Sequence, residues 1–269
     1  MSDRVAILGA GKMGEALLSG LLRSGFPADQ LVVSTRSPSR AEALSERYSV
    51  DVLGSAPAAR SADTVVIAVK PQDMSALLTE VCEDITADQL VVSVAAGITT
   101  AFMESRLAVD VPVVRVMSNT PVLVDEAMSA LSAGSHADES HLARTEALLR
   151  PVGRTIRVPE SQQDAVTALS GSGPAYFFYL VEAMTDAGIL LGLPRSVAHD
   201  LIVQTAIGAA VMLRDSGEAP QTLREAVMSP AGTTIAAIRE MEDHKVRAAF
   251  LSALEAARDR SRELASGHE

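Results

Sequence analysis

Short apolar runs alternate with amphipathic stretches through the first 160 residues. The runs are continuous, as in parallel strands covered on both faces, and the stretches between them space their apolar residues as helices do. The runs lie at 5–8, 30–34, 64–69, 89–94, 112–117, 128–132 and 155–158, and the clearest helical stretches at 15–22, 41–48 and 139–149. This alternation predicts an α/β fold built on a doubly wound, mainly parallel sheet.

The pattern changes near residue 160. From residue 162 onward no run has the pattern of a strand, and helical spacing recurs at 176–191, 194–215, 220–228, 233–240 and 245–265. We therefore predict two domains, a sheet domain over residues 1–160 and an all-α domain over residues 161–269.

One segment of the helical domain, residues 201–213, is apolar on all sides. A helix that is hydrophobic all round has to be buried all round. About 110 helical residues beside a sheet domain offer little bulk to enclose it, so we expect a second subunit to cover it and predict a homodimer formed through this domain. A compact monomeric bundle is the alternative.

A glycine-rich turn follows the first apolar run and precedes the first helix. Gly9 permits a tight turn, Gly11 lets a pyrophosphate approach the backbone, and Gly14 lets the helix pack close to the strand. This context favours dinucleotide binding, although a glycine-rich turn without a ligand has the same composition. The predicted cofactor loop is Gly9-Ala10-Gly11-Lys12-Met13-Gly14.

The end of the second run bears on the choice of cofactor. Folds selective for NAD carry an acidic residue there, which binds the ribose 2′-hydroxyl. This chain instead has Ser34, Thr35 and Arg36, followed by Arg40 and no acid. Hydroxyl donors and a guanidinium suit a 2′-phosphate, so we favour NADP over NAD. A solvated turn that caps the next helix is the alternative.

Three more strand ends supply candidate cofactor contacts, because open α/β sheets bind ligands at the carboxyl ends of their strands. Small residues there leave room for a flat ring, and an amide can bond a carboxamide or ribose. Lys70 as a solvated residue and Asn119 as a turn residue are the alternatives. The candidates are Val69, Lys70, Pro71, Ala95, Ala96, Gly97 and Asn119.

Two glycine-marked breaks interrupt the helical half, at 170–176 and 228–234. In both, backbone N–H groups and hydroxyls gather at the start of a helix, where a small anion binds well. Helix capping explains one hydroxyl per helix, and Ser229, Thr233 and Thr234 exceed that need. No arrangement of acid and base side chains stands out, which suits hydride transfer to an imine, because a protonated C=N already carries its proton.

Composition excludes several classes of partner and site. The formal net charge of −11 argues against nucleic acid and anionic membranes. The five histidines show no metal-ligand spacing, and the apolar segment 174–193 is interrupted by Glu182 and Asp186. Cys82 is the only cysteine, so no intrachain disulfide can form and we expect a cytoplasmic protein without a metal centre.

Over nearly its whole length the chain resembles the pyrroline-5-carboxylate reductase family. Several spaced motifs in the right order are more specific than a glycine turn alone. They are the glycine loop at 9–14, Ala68-Val69-Lys70-Pro71, Ala95-Ala96-Gly97, Asn119-Thr120-Pro121, and the segments 164–176 and 227–234.

The resemblance implies reduction of 1-pyrroline-5-carboxylate to L-proline by NADPH, with NADH possible, in the last step of proline synthesis. It implies a Rossmann-like domain and a helical domain that intertwines with its partner's, with the site at the dimer interface and further assembly into decamers in some members. It also implies substrate binding by Glu160, Ser229, Gly232, Thr233 and Thr234, with Thr234 closest to the imine. The seven strand-end candidates are implied to line the nicotinamide half of the cofactor.

Three positions depart from the family's usual pattern. Ser118 stands where Pro is common, and Ala231 stands where Gly is common. If residue 231 has a positive φ, alanine there costs on the order of 1 kcal/mol. Ser55 stands where relatives often place an Asn near the adenosine of the cofactor.

Two other functions are compatible with this architecture. A β-hydroxyacid-type dehydrogenase or related imine reductase predicts a Lys acid in the middle of the helical domain, and no such Lys stands out. A non-catalytic NADP-binding protein uses the fold only as a scaffold, and the hydroxyls at 229–234 argue against it.

Overall fold

The computed structural model describes residues 4–266. These fall into two compact units, one made of residues 4–172 and 257–266 and the other of residues 173–256. We call them the sheet unit and the helical unit.

The sheet unit is built on eight strands in the order β3-β2-β1-β4-β5-β6-β7-β8. All neighbours are parallel except β6 and β7, which are antiparallel. The strands are β1 (Val5–Leu8), β2 (Leu31–Ser34), β3 (Asp51–Leu53), β4 (Thr64–Ile67), β5 (Leu90–Ser93), β6 (Val113–Met117), β7 (Ala127–Ala133) and β8 (Gly153–Arg157). The predicted doubly wound sheet is therefore confirmed.

Helices cover both faces of this sheet, so its central strands are buried on both sides. In β1, Val5 and Ile7 join one hydrophobic layer while Ala6 and Leu8 join the other. The helices are α1 (Lys12–Arg23), α2 (Pro38–Tyr48), α3 (Ser55–Arg60), α4 (Met74–Val81), α5 (Thr100–Glu104), α6 (Glu139–Leu149) and α7 (Gln163–Val166). Short 3₁₀ turns lie at Ala28–Gln30, Pro71–Asp73, Thr120–Val124, Arg150–Val152 and Glu160–Gln162, and a π-helical turn at Thr167–Gly171.

The helical unit contains α8 (Gly173–Leu190), α9 (Arg195–Ser216), α10 (Pro220–Ala226), α11 (Thr233–Asp243) and the first half of α12 (Val246–Ser266). Helices α8 and α9 pack closely at Gly188, where an added Cβ would lie only 2.7 Å from the Cβ of Ala198. Among the described residues, α9 alone is long and apolar enough to span a membrane by length and composition, with a mean hydropathy of 1.5 and 6% of its most apolar window buried.

The compact division falls at 172/173, whereas we predicted a domain boundary at 160/161. Residues 160–172 stay with the sheet because Gln163, fully buried, donates to the carbonyl of Ala130 and to Ser132. The end of α12 also belongs to the sheet unit, where Ser261 donates to Asp164 at 2.7 Å. Side-chain bonds of this kind leave no trace in hydrophobic periodicity.

Candidate active site

The glycine turn has the backbone that the sequence predicts. Gly9 has φ +104°, and a Cβ there would lie 2.8 Å from Cγ1 of Val69 and 2.9 Å from the carbonyl of Ala68. A Cβ on Gly14 would overlap the carbonyl oxygen of Gly9. The predicted roles of Gly9 in the turn and of Gly14 in close packing are confirmed.

Gly11 has a different surrounding. Its φ is −74°, and a Cβ there would meet nothing described within 4 Å. It is also the N-cap of α1 and brings no side chain to bond the first free N–H groups of the helix. These groups, at the positive end of the helix dipole, are available to an anion.

A cavity of about 500 Å³ opens at this turn, between the carboxyl ends of β1, β2 and β4. Nine of the predicted cofactor residues line it: Gly9, Ala10, Gly11, Ser34, Thr35, Arg36, Ser55, Val69 and Lys70. The other eight do not line this cavity, namely Lys12, Met13, Gly14, Pro71, Ala95, Ala96, Gly97 and Asn119. Apart from Val69 and Lys70, the first group occupies the region that a Rossmann-like fold gives to the adenosine and pyrophosphate.

The two arginines after β2 have different partners. The Arg40 guanidinium donates to the carbonyl of Ala10 and to the carboxylate of Glu15, which ties α2 to the glycine turn and to α1. Arg36 extends over the cavity, and its Nη2 lies 2.9 Å from Oδ1 of Asp73. Of the two, Arg36 is therefore the one placed to meet a ligand.

Glu15 connects the first turn of α1 to α2. Burial alone raises the pKa of its carboxyl, but hydrogen bonds from Tyr48 and Arg40 outweigh burial and hold the pKa below its ordinary value of 4.5. The Tyr48 hydroxyl donates to Glu15 at 2.9 Å. Glu15 is therefore a structural anion behind the cofactor loop.

The hydroxyls at the ends of β2 and α3 are paired with each other. Oγ of Ser34 lies 3.1 Å from Oγ of Ser55, and both residues are buried. Thr35 accepts a bond from the N–H of Ser37, and Ser37 caps α2 by accepting from the N–H of Arg40. Part of this turn thus does the capping work that was the alternative to a phosphate site.

Asn119 makes structural bonds on both sides of its amide. Its Nδ2 donates to the carbonyl and the hydroxyl of Ser170, each at 3.3 Å, and its Oδ1 accepts from the N–H of Met128. These bonds fix the π-helical turn Thr167–Gly171 against the end of β6. Contact of Asn119 with the nicotinamide stays a prediction.

Glu160 is likewise engaged within the sheet unit. Its carboxylate accepts from the N–H and the hydroxyl of Thr100, at 2.9 and 2.6 Å, and from Nη1 of the buried Arg115 at 3.1 Å. A carboxylate held in this way is placed to secure the chain after β8. Its predicted contact with substrate stays a prediction.

The second candidate site is the turn before α11. Gly232 is the N-cap of α11 and brings no side chain, so the first N–H groups of that helix receive no bond from the cap. A Cβ at Gly232 would overlap Oγ of Ser229, whose carbonyl accepts from the Gly232 N–H at 3.0 Å. Thr233 and Thr234 are the first residues of α11, and Oγ of Ser229 lies beside Gly232, so the three residues are grouped at an open helix N-terminus. Binding of an anion there stays a prediction.

Ala231 in this turn has φ +56°. The left-handed conformation that favours glycine is therefore adopted by an alanine. We expected alanine to be costly here if residue 231 has a positive φ, and it has one. The turn therefore stores strain on the order of 1 kcal/mol.

Sequence reasoning missed the wall of the cavity formed by the turn Pro71–Asp73 and by α4. Gln72, Asp73, Ala76, Leu77 and Glu80 also line it. Their position directly after β4 was a usable signal, since the same strand end carries Val69 and Lys70. Within residues 4–266 no group of three His, Cys, Asp or Glu side chains is arranged to hold a metal ion.

Two family models match the chain. Residues 160–264 match pyrroline-5-carboxylate reductase dimerisation, and residues 4–97 match the family described as NADP oxidoreductase coenzyme F420-dependent. The first covers the helices that have little core of their own, and the second covers the glycine turn and the cavity.

Curated proteins and solved structures match over nearly the full length. A pyrroline-5-carboxylate reductase of Mycobacterium tuberculosis is 46% identical over 97% of this chain and 96% of its own, and that of Corynebacterium melassecola is 44% identical over 97% and 98%. The structure of the Coxiella burnetii reductase superposes with a TM-score of 0.93 at 35% identity, covering 98% and 99%. That of the Plasmodium falciparum reductase, with NADP bound, has a TM-score of 0.87 at 25% identity, covering 98% of each chain. The chain belongs to the pyrroline-5-carboxylate reductase family.

Proposed function

We propose that the protein reduces 1-pyrroline-5-carboxylate to L-proline, the last step of proline biosynthesis, with NADPH as the preferred donor and NADH as a possible one. The observation that carries the proposal is the cavity at the open glycine turn, in a chain whose two units both match this family. Relatives with this name match over almost their whole length, and the match extends across both units of this chain.

The residues around the cavity fit a dinucleotide with a 2′-phosphate. The open N–H groups behind Gly11 suit the pyrophosphate. Arg36, beside the hydroxyls of Ser34 and Thr35, suits the 2′-phosphate. Val69 and Lys70 lie at the end of β4 towards the nicotinamide half, with Pro71, Ala95, Ala96, Gly97 and Asn119 proposed beyond them. When bound, NADPH supplies the hydride.

We propose that the turn before α11, within residues 228–234, holds the substrate, and we call it the substrate turn. The substrate carboxylate binds the open N–H groups of α11 and the hydroxyls of Ser229 and Thr233, and Thr234 lies closest to the ring nitrogen. A protonated imine brings its own proton and positive charge, so orientation by Gly232 and its neighbours replaces an acid side chain. Glu160 is a weaker candidate, because its carboxylate already bonds Thr100 and Arg115.

We propose a homodimer in which the helical unit of one chain contributes its substrate turn to the cofactor cavity of its partner. The dimerisation family model supports self-association, and the largely exposed apolar side chains of α8 and α9 support a large interface. Assembly into a decamer is a further proposal, to be measured as the mass of the native particle. We assign the apolar surface of α9 to the partner chain and not to a membrane.

We also propose a cytoplasmic location, supported by the single Cys82, and no role in nucleic-acid binding, supported by the net charge of −11. Cell fractionation tests the first, and retention of the protein on immobilised DNA at low salt would contradict the second.

The activity is tested by following NADPH oxidation with 1-pyrroline-5-carboxylate and identifying L-proline as the product. The assay is repeated with NADH and with a 2-oxo acid in place of the imine. We expect turnover only with the imine and faster turnover with NADPH. No turnover with either cofactor would contradict the proposed function.

The assignment of Thr234 is tested with Thr234→Ala and the matched Thr234→Ser variant. Loss of one hydrogen bond to a charged group predicts a fall in kcat/KM of about ten- to a hundredfold for alanine, while serine retains most of the activity. Binding of NADPH alone is expected to stay unchanged in both. Normal kcat/KM in Thr234→Ala would remove this residue from the site while leaving the reductase activity in place.

A further inference from the structure

Asp73 lies where a helix cap is expected but does not act as one. It ends the turn Pro71–Asp73 and occupies the N-cap position of α4, yet its side chain makes no capping bond. Aspartate is one of the preferred capping residues. Its carboxylate instead pairs with Nη2 of Arg36 at 2.9 Å.

This ion pair connects two loops on opposite sides of the glycine turn. Arg36 follows β2 and Asp73 follows β4, and β1 lies between those two strands in the sheet. Both side chains line the cavity that opens at the carboxyl end of β1. The pair therefore spans the cavity from one loop to the other.

The charges of the cavity lining cancel. Arg36 and Lys70 are cations, and Asp73 and Glu80 are anions. NADPH differs from NADH by the 2′-phosphate, and an arginine near the ribose is what accommodates that group. Asp73 occupies one donor of that arginine and places a negative charge beside the same position.

We propose that Asp73 is a specificity-determining residue that lowers the preference of the enzyme for NADPH over NADH, by holding Arg36 in an ion pair that a 2′-phosphate has to replace. The inference rests on the proposed function, since it takes Arg36 as the phosphate ligand. The Arg36 side chain is 80% exposed, so the pair is weak and a phosphate can displace it. Asp73 thus reduces the discrimination without abolishing it.

Asp73→Asn tests this directly, because asparagine removes the charge while keeping the size of the side chain and is tolerated at an N-cap position. Dissociation constants are measured by isothermal titration calorimetry without substrate, for NADPH and NADH and for the fragments 2′,5′-ADP and ADP. We expect NADPH and 2′,5′-ADP to bind to Asp73→Asn about two- to fivefold more tightly than to the wild type. Binding of NADH and ADP is expected to stay unchanged.

Two comparisons isolate the role of the pair. Asp51→Asn makes the same change of charge and breaks a similar pair, with Arg4 at 3.2 Å. This pair lies at the amino end of β3, whereas the cavity lies at the carboxyl ends of the strands. Asp51→Asn is expected to leave unaltered the ratio of the affinity for NADPH to the affinity for NADH. In an Arg36→Gln background, Asp73→Asn is expected to lose most of its effect, because its effect passes through Arg36.

The inference is overturned if the affinity for NADPH relative to NADH is unchanged or lower in Asp73→Asn. It is also overturned if Asp73→Asn raises this relative affinity equally in the Arg36→Gln background. If the wild type turns over substrate but the ratio does not move, only this inference fails. If the wild type binds neither dinucleotide, the proposed cofactor and this inference fail together.

Discussion

The sheet unit and the helical unit differ in how much hydrophobic core each has within a single chain. Strands β1, β2, β4 and β5 are buried along their whole length. Of the described hydrophobic side chains in 173–256, only that of Ala198 is buried. Large side chains there are exposed instead, with Leu190 at 88% and Tyr179 at 73%.

The difference supports the proposal that the helical unit forms an interface with a second chain, whereas the sheet unit has a core of its own. About 25 cal/mol per Å² favours the removal of apolar surface from water, and large exposed apolar patches mark association sites. The family model for dimerisation falls on the helices that lack a core. We therefore expect cofactor binding to be a property of one chain and catalysis to be a property of two.

The largest expected effect comes from a charge placed on the exposed apolar surface of α9. In Ile207→Asp, whose wild-type side chain is 53% exposed in the single chain, a carboxylate has to be buried at the interface. We expect dissociation to monomers and loss of turnover, while NADPH still binds the sheet unit. Sedimentation velocity and a cofactor titration measure the two properties.

Val109→Asp is the matched control for that variant, because it places the same charge on an exposed apolar residue of the sheet unit. It is expected to keep the wild-type mass and turnover. A dimeric and fully active Ile207→Asp protein would mean that the two units do not differ in the way described.

The next effect separates two glycines of the cofactor turn. Gly9→Ala combines a φ of +104° with close contacts to Val69 and Ala68, so we expect a loss of about 2–5 kcal/mol in the free energy of unfolding. Gly11→Ala meets open space at φ −74° and is expected to fold with wild-type stability but to bind NADPH more weakly. Urea denaturation and cofactor titration of both variants measure this, and equal destabilisation would show that Gly11 also serves the fold.

A smaller effect depends on pH. Because the pKa of Glu15 lies below 4.5 in the folded state, its carboxylate stabilises the sheet unit fully above that value, and the stabilisation is lost as the pH falls through the folded pKa. Glu15→Gln is expected to cost about 1–2 kcal/mol at pH 7 and progressively less in acid. Urea denaturation at a series of pH values tests this.

Glu42→Gln is the charge-matched control for Glu15→Gln, since Glu42 is an exposed residue on α2. We expect it to match the wild type across the same pH series. A stability difference in Glu15→Gln that does not change with pH would contradict the assigned role.

The smallest effect concerns the substrate turn. Ala231→Gly removes a side chain from a residue with φ +56°, and relief of strain exceeds the added entropy of the unfolded chain by about 1 kcal/mol or less. We expect a slightly higher free energy of unfolding, and a change in KM for the imine larger than that for NADPH. A less stable Ala231→Gly protein would show that the turn is not strained.

Most of the fold was predictable because continuous apolar runs and helical spacing report burial directly. Strand β1 and helix α6 have the predicted bounds, and the helices after residue 172 end within a few residues of them. Strand β3 was missed, since Asp51–Leu53 is a short edge strand with two exposed residues and carries no apolar pattern.

The site was only partly predictable, because a sequence pattern does not show which polar side chains already have partners. Arg36 and Arg40 look alike in the sequence, but Arg40 is bound to Ala10 and Glu15. Asp73, which pairs with Arg36, lies in a loop 37 positions further along the chain. Nothing in the sequence pattern indicates that these two side chains meet. Ala231 is the opposite case, where the family pattern suggested a positive φ and the backbone has it.

We propose above all that each site combines the cofactor turn of one chain with the substrate turn of the other. Gly11→Asp impairs the first by setting a carboxylate against the phosphates, and Thr234→Ala impairs the second. Heterodimers of these two variants, isolated by two affinity tags, are expected to regain about half of the wild-type turnover, because one of their two sites has both turns intact. Heterodimers as inactive as either parent would show that both turns serve the same chain and would contradict the account.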